Sequence, residues 1–391
     1  MKTMHLTPLE IRTRAVARSV IVALALTGAF SLPAHGAAQV GGGTFSLDTT
    51  GRILSDSNVF GDTTDQHDTI YSFDPTLHYK REGALGNTDL STGLNVNRYN
   101  KFHSENSNDW FANARITVPD QAAGILSGDL HLAYFNGRES DEFIAQRVDL
   151  TRLDLGISAN FDLTAKSGLR TGYDRRSFDA QNRPSTHSDD FRVGLFTRIR
   201  PELSAFLDYT RGTEKSGNAA PPILPVDNRT DNISLGLSGQ LSPFILGSVS
   251  IGSEKVKASN NTQAGGDTGL VGNAALTWNP RQSTSIGIDA GRGSRVTANA
   301  QSIESTNFGL NVSQAITVQL KAKVDLLWES YKVHGVANSD SHRFNVGLDL
   351  AYEFSERLAA GINYTRDSNN SYLPTNDIAR RTLGAYVTYH F

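Results

Sequence analysis

From Thr44 to Phe391 the chain alternates apolar and polar side chains in segment after segment, and no long helical stripe interrupts the pattern. Neighbouring side chains of a strand point to opposite faces, so a period of two marks strands that lie between two different surroundings. Segment 342–354 puts His342, Phe344, Val346, Leu348, Leu350, Tyr352 and Phe354 on one face, and Arg343, Asn345, Gly347, Asp349, Ala351 and Glu353 on the other. Segment 318–329 repeats this, with Val318, Leu320, Ala322, Val324, Leu326 and Trp328 against Gln319, Lys321, Lys323, Asp325, Leu327 and Glu329. One face favours an apolar medium and the other favours water. A soluble sandwich also alternates, so the connections have to discriminate.

The pattern predicts eighteen strands, near 44–54, 69–80, 88–101, 109–118, 126–138, 148–161, 164–178, 187–199, 202–213, 229–240, 244–256, 268–279, 282–294, 303–314, 317–331, 341–354, 357–367 and 378–391. Links after the even-numbered strands are mostly tight, as at Arg200-Pro201-Glu202, Leu241-Ser242-Pro243 and Ser355-Glu356. Links after the odd-numbered ones are longer and polar, as at 55–68, 102–108, 139–147 and 214–228. Bacterial outer-membrane barrels are built with short turns in the periplasm and long loops outside. Trp and Tyr favour the two membrane interfaces. Tyr134, Tyr173, Tyr209, Trp328, Tyr364 and Trp110 fall near the long-loop ends, and Tyr79, Phe161, Trp278, Phe354 and Tyr389 near the short-turn ends. The expected fold is all-β: a transmembrane antiparallel up-and-down β-barrel of about 18 strands.

Composition narrows the alternatives. A hydrophobic content of 38% is too polar for a polytopic helical transporter. Thirty-seven Lys and Arg against 40 Asp and Glu, without a basic block, argue against a nucleic-acid partner. The absence of cysteine removes disulfides, thiol nucleophiles, Cys-based zinc sites and a lipoprotein anchor.

The N-terminus carries an address. Lys2, Arg12, Arg14 and Arg18 precede the apolar run Val20–Leu26, and small residues follow Pro33. This is the layout of a secretory signal peptide, with an apolar run well short of the roughly 20 residues that span a bilayer. Residues 1–38 are expected to be the signal peptide and 39–391 a single barrel domain. At the other end, Leu383, Ala385, Val387, Tyr389 and Phe391 alternate with polar or small residues. An apolar face on a terminal strand, closed by an aromatic residue, looks like the assembly signal read by the barrel insertion machinery. Physically it is an edge able to pair with another sheet edge before the barrel closes.

A barrel of this size has room for an aqueous lumen. Opposite the apolar set the alternation places Lys166, Arg170, Asp174, Arg192, Arg198, Asp208, Asp289, Lys323, Asp325, Arg343 and Asp349, which are the candidate lumen-lining residues. Both charge signs are present, so strong selectivity for a small ion is not expected, and such a lining suits neutral sugar polymers. Catalytic signals are thin. Ser185, His187, Asp189 and Asp190 lie close together but are too near in sequence for a triad. Asp56, Asp62, Asp65 and Asp68 lack the ordered spacing of a calcium loop and read as a solvated acidic loop, and Gly41-Gly42-Gly43 reads as a flexible lead. No catalytic residue, cofactor or metal is expected.

Two stretches carry a family resemblance. Ser55-Asp56-Ser57-Asn58-Val59-Phe60, followed by Ile70–Tyr79, is similar to the start of the Putative beta-barrel porin 2 family. Leu94–Tyr99, Leu169–Arg176 and Arg211-Gly212-Thr213-Glu214 resemble its repeated hairpins, to the end of the chain. Members often accompany machinery for extracellular polysaccharide. The resemblance therefore implies a passive outer-membrane conduit for secreted exopolysaccharide, working with outer-membrane lipid and a periplasmic polysaccharide export component. A general diffusion porin for small solutes and a structural or adhesive surface barrel are the alternatives.

Overall fold

The computed structural model describes residues 38–391 apart from 120–124, 142–145, 182–184, 218–226, 260–266, 297–301, 334–337 and 372–376. The proposed signal peptide, save Ala38, and most of the proline-bearing 214–228 loop lie outside the described residues.

The strands are β1 (Ala38–Val40), β2 (Gly43–Asp56), β3 (Asp68–Gly83), β4 (Gly86–Tyr99), β5 (Ser107–Val118), β6 (Leu126–Asp141), β7 (Gln146–Asp162), β8 (Ser167–Ala180), β9 (Thr186–Arg200), β10 (Leu203–Ser216), β11 (Asp227–Ser242), β12 (Ile245–Ser259), β13 (Asp267–Arg281), β14 (Thr284–Val296), β15 (Ser302–Ala315), β16 (Leu320–Val333), β17 (Asp340–Glu353), β18 (Leu358–Asn370) and β19 (Ile378–His390). Each of β2 to β19 pairs antiparallel with its neighbours in sequence, and β19 returns to pair with β2. The eighteen long strands therefore close into a ring with no free edge, which satisfies every backbone ladder without water, as a bilayer demands.

All eighteen expected strands are present, with ends displaced by at most three residues from the sequence reading. The two strands that start three residues late, β8 and β16, have a local cause. At 163–167, Thr164 Oγ1 accepts the N–H groups of Lys166 and Ser167 at 3.2 and 2.9 Å, a side-chain turn that delays the start of β8. At 316–320, Thr317 Oγ1 accepts from Gln319 and Leu320 and delays β16 in the same way. The glycine lead is corrected as well: Gly41 and Gly42, with φ of +60° and +78°, form a two-residue turn that folds β1 back on β2. Two consecutive positive φ values select a hairpin turn that glycine adopts without strain.

Strand parity sorts the side chains as the alternation requires. Leu348, Leu350, Tyr352 and Phe344 on β17, and Ile233, Leu235 and Leu237 on β11, are exposed on the outside, where lipid would cover them. Register shows that the aromatic residues from both sets share this outer face. Trp110 meets Tyr134 at a ring separation of 5.0 Å on the loop side, while Tyr352 meets Phe354 and Tyr389 meets Phe391 at 4.9 and 4.5 Å on the turn side. From Phe344 to Tyr352 the strand advances about 26 Å, or roughly 20 Å along the normal at a tilt of about 40°, near the ~25 Å apolar band of such barrels. The eighteen strands of the ring are 12 to 17 residues long, more than that band needs. Above the upper belt their outer face turns ionic, with Arg175–Asp189 at 3.6 Å and Arg292–Glu304 at 2.6 Å.

Candidate functional site

The inner face of the ring is polar, and its charges are arranged in pairs within one strand or across one or two strand spacings. Arg198 donates from one guanidinium nitrogen to both oxygens of Asp162 at 2.9 Å. Arg192 faces Asp174 at 3.5 Å, Lys323 faces Asp325 at 3.2 Å, and Arg343 grips Asp367 through two nitrogens at 3.1 and 2.9 Å. Arg170 lies over the Phe206 ring, 4.2 Å from its centre, and 3.8 Å from Asp208, which is almost fully buried. Asp349 accepts the Tyr386 hydroxyl at 3.0 Å. Asp289 has the opposite strand parity to the outward Ile286 and Ile288 and stands exposed on the inner side. Lys166 differs: it falls in the turn before β8 and not on a strand, because the Thr164 turn holds it there.

Three of these residues, Asp174, Arg192 and Arg343, line one cavity of about 1110 Å³ on the long-loop side of the barrel. Its wall holds seven arginines and seven carboxylates, so it presents groups of both signs with no net bias. The sequence candidates reach it from three separate strands, whereas Lys323, Asp325 and Asp349 are not among the residues that line it.

Sequence reasoning missed the residues that close the loop side. Asp56 is fully buried and bound to Arg380, whose Nε lies 3.1 and 3.0 Å from its two oxygens. Asn58, also fully buried, accepts the N–H groups of Gly61 and Asp62 and donates its amide to the Asp62 carbonyl at 2.6 Å. Val59 packs with Ile70, Tyr99, Leu54 and Phe102. Asp68 accepts the N–H groups of Thr69, Lys101 and Phe102. The first loop is thus a folded knot and not a solvated acidic loop. On the far side, Glu105 pairs with Arg138 and Arg147 at 3.3 and 3.4 Å. The signal was present in the stretch Ser55–Phe60, since Asp56 and Asn58 keep the inward parity of β2 beyond its apolar part.

The cluster of Ser185, His187, Asp189 and Asp190 is split by parity: His187 and Asp189 alternate with Asp190 along β9, so they stand on opposite faces. Among the described residues no group of three or more His, Cys, Asp or Glu could hold a metal ion.

A closed antiparallel ring with an apolar, girdled outside and a wet, charge-paired inside defines a bacterial outer-membrane channel of the porin type. The chain belongs to the Putative beta-barrel porin 2 family, matched over residues 38–391. This family and fold are those of non-enzymatic channels. Among solved structures, Acinetobacter baumannii OccAB4 is similar at 13% identity and a TM-score of 0.45, covering 90% of this chain and 99% of that one. Pseudomonas aeruginosa OpdQ is similar at 10% identity and a TM-score of 0.43, over 90% and 99%. The copper transporter OprC aligns with 88% of this chain at 10% identity and a TM-score of 0.42, and the match spans 63% of its own length. No curated protein matches the chain in sequence.

Proposed function

We propose that this barrel is a passive conduit for a secreted exopolysaccharide. The observation that carries the reading is the loop-side cavity of about 1110 Å³ whose seven arginines and seven carboxylates offset one another. A wall of one sign would hold counter-ions and retard a neutral polymer. A wall of internally paired charges offers many weak hydrogen-bonding groups and no deep trap, which suits a chain that must enter and leave. Arg170, Asp174, Arg192, Arg198, Asp208, Asp289, Lys323, Asp325, Arg343 and Asp349 tune that passage, with Lys166 at the turn-side mouth.

In this reading residues 1–38 direct export, and Leu383, Ala385, Val387, Tyr389 and Phe391 present the terminal strand to the insertion machinery. A separate periplasmic export component delivers the polymer. The size of the cavity also favours a second reading, general diffusion of small solutes.

Single-channel conductance of refolded 39–391 in planar bilayers separates them. Blockade of an open channel by soluble extracellular polysaccharide fragments is the expected result. Conductance indifferent to the fragments supports the diffusion porin, and unchanged polymer secretion after deletion of the gene overturns the conduit.

A further inference from the structure

The charges of the lumen are not spread evenly around the ring. From β11 to β15 the inner face changes character: its residues are mostly Asn, Ser, Thr and Gly, and Glu254 and Asp289 are the inward-facing charges among the described side chains. Against this neutral arc lies a second cavity of about 540 Å³, lined by Asn232, Ser234, Ser250, Asn273, Ser305 and Asn307. It opens into the larger cavity, since Asn232, Glu254 and Ser294 line both.

Two further observations mark this cavity as more than a gap. Elsewhere in the lumen Arg192, Arg198 and Arg343 are held by Asp174, Asp162 and Asp367, but the side chains of Asn232, Ser234, Ser250, Asn273 and Asn307 have no hydrogen-bond partner among the described residues, and Asn232 Oδ1 is buried. Buried amide oxygens are costly when unpaired and are normally satisfied by solvent or a ligand. The charged groups at its edge are already engaged: Glu254 accepts the Ser294 N–H at 3.0 Å, Glu329 accepts the Ser305 hydroxyl at 2.9 Å, and Arg292 pairs with Glu304. The wall also has an apolar element, Leu327 and Val271, and it is recessed where glycine replaces a side chain. A Cβ at Gly293 would meet nothing within 4 Å.

We propose that this arc is a binding groove for a neutral glycan segment. A pyranose ring presents an apolar C–H face and a rim of hydroxyls that both donate and accept. The groove offers the complement, amides that donate and accept set around Leu327 and Val271. An anionic glycan is disfavoured, because Glu254 and Glu329 stand at the groove's border, its one cationic lining residue, Arg292, is paired with Glu304, and Asp289 adds a carboxylate to the same arc. The inference deepens the conduit reading and rests on it: the polymer tracks the neutral arc while the ion-paired arc stays hydrated.

The test is titration calorimetry of the refolded protein in detergent with maltoheptaose and heptagalacturonate, for the parent, Asn273→Leu/Asn307→Leu, Gly293→Phe and the opposite-wall control Arg115→Gln, on the inner face of β5 and outside both cavities. Folding of each variant is checked by its heat-modifiable gel shift. The expected result is maltoheptaose binding at least tenfold tighter than heptagalacturonate, weakened at least tenfold by Asn273→Leu/Asn307→Leu or by Gly293→Phe, and within twofold for Arg115→Gln. If the double variant does not fold, Gly293→Phe decides alone. Absent binding, equal binding of the two probes, or sensitivity to Arg115→Gln and not to the groove variants overturns the proposal. Polymer crossing into vesicles is scored separately: retained groove binding without crossing refutes the conduit and leaves the groove, whereas crossing unaffected by the groove variants refutes the groove alone.

Discussion

The closure of the barrel depends on a pairing between β19 and β2 that spans nine residue pairs, from Thr382↔Asp56 to His390↔Asp48, against thirteen between β2 and β3. Side chains supplement this short ladder. Thr50 and Thr388 share a hydrogen bond of 2.9 Å, His390 Nδ1 lies 2.8 Å from Asp48, and Arg381 N–H donates to Ser57 Oγ at 2.8 Å. The Asp56–Arg380 pair sits at the loop end of the seam with Asp56 wholly out of water. Arg380→Ala leaves that carboxylate with the Asn58 N–H at 3.0 Å as its remaining contact. Stranding one member of a buried pair costs about 3 to 5 kcal/mol. Arg380 keeps 24% of its side-chain surface exposed, so solvent already screens the pair and the lower end, about 3 kcal/mol, is expected. Asp56→Asn/Arg380→Gln strands no charge and should cost about 1 to 2 kcal/mol. Urea unfolding in lipid vesicles, followed by fluorescence of Trp110, Trp278 and Trp328, measures each variant and the coupling between them. An Arg380→Ala protein within about 0.5 kcal/mol of the parent, or a double variant as unstable as the single one, refutes the claim that the pair locks the seam.

The outer face gives a second test. Leu326→Arg or Leu348→Arg should lower stability in vesicles by about 2 to 4 kcal/mol, the cost of an arginine near the bilayer midplane, whereas Asp349→Asn should alter conductance with little effect on the unfolding midpoint. Equal losses on both faces would contradict the assignment of outside and inside. Asn58→Ala removes the hub of the first loop and should destabilise the 57–67 knot by about 1 to 3 kcal/mol, seen as faster amide hydrogen exchange at Gly61 and Asp62; unchanged exchange would count against the hub. Phe391→Ala keeps the N–H that donates to the Leu47 carbonyl at 2.9 Å and removes the ring that meets Tyr389 edge to face. Slower insertion by the assembly machinery with a near-parental unfolding midpoint is expected, and an unchanged insertion rate would sink the assembly-signal reading.

The architecture was legible because a membrane barrel writes its physics into the sequence with unusual regularity. Lipid outside and water inside impose a period of two on every strand, so the parity of Leu326, Leu348 and Leu350 against Lys323, Asp325 and Asp349 could be read one residue at a time. Turn chemistry was less legible: Lys166 was placed on a strand because nothing in the alternation reveals that Thr164 caps the turn before it. The knot at 57–67 was harder still. Its acidic residues read as solvated, and only the ring closure brings Arg380, 324 positions away, onto Asp56.

The division of the lumen is a different kind of property, one that no single strand contains. Each of β11 to β15 shows an ordinary run of mainly Ser, Asn and Gly on its inner face, whereas the inner faces of β7 to β9 carry Arg and Asp, as at Arg152 and Asp154, Arg170 and Asp174, and Asp190 and Arg192. Side-by-side pairing turns these runs into two arcs. On the charged arc, Arg and Asp offset one another at 2.9 to 3.8 Å, so their field does not extend far into the lumen. On the neutral arc the amides find no such neighbours, and at Gly293 a Cβ would meet nothing within 4 Å. More neutral hydrogen-bonding capacity therefore remains on the first of these sides, the amide arc, than on the ion-paired one. A solute able to donate and accept along its length gains more from the first side than from the second, which makes sector, and not net charge, the variable that should govern what this barrel retains.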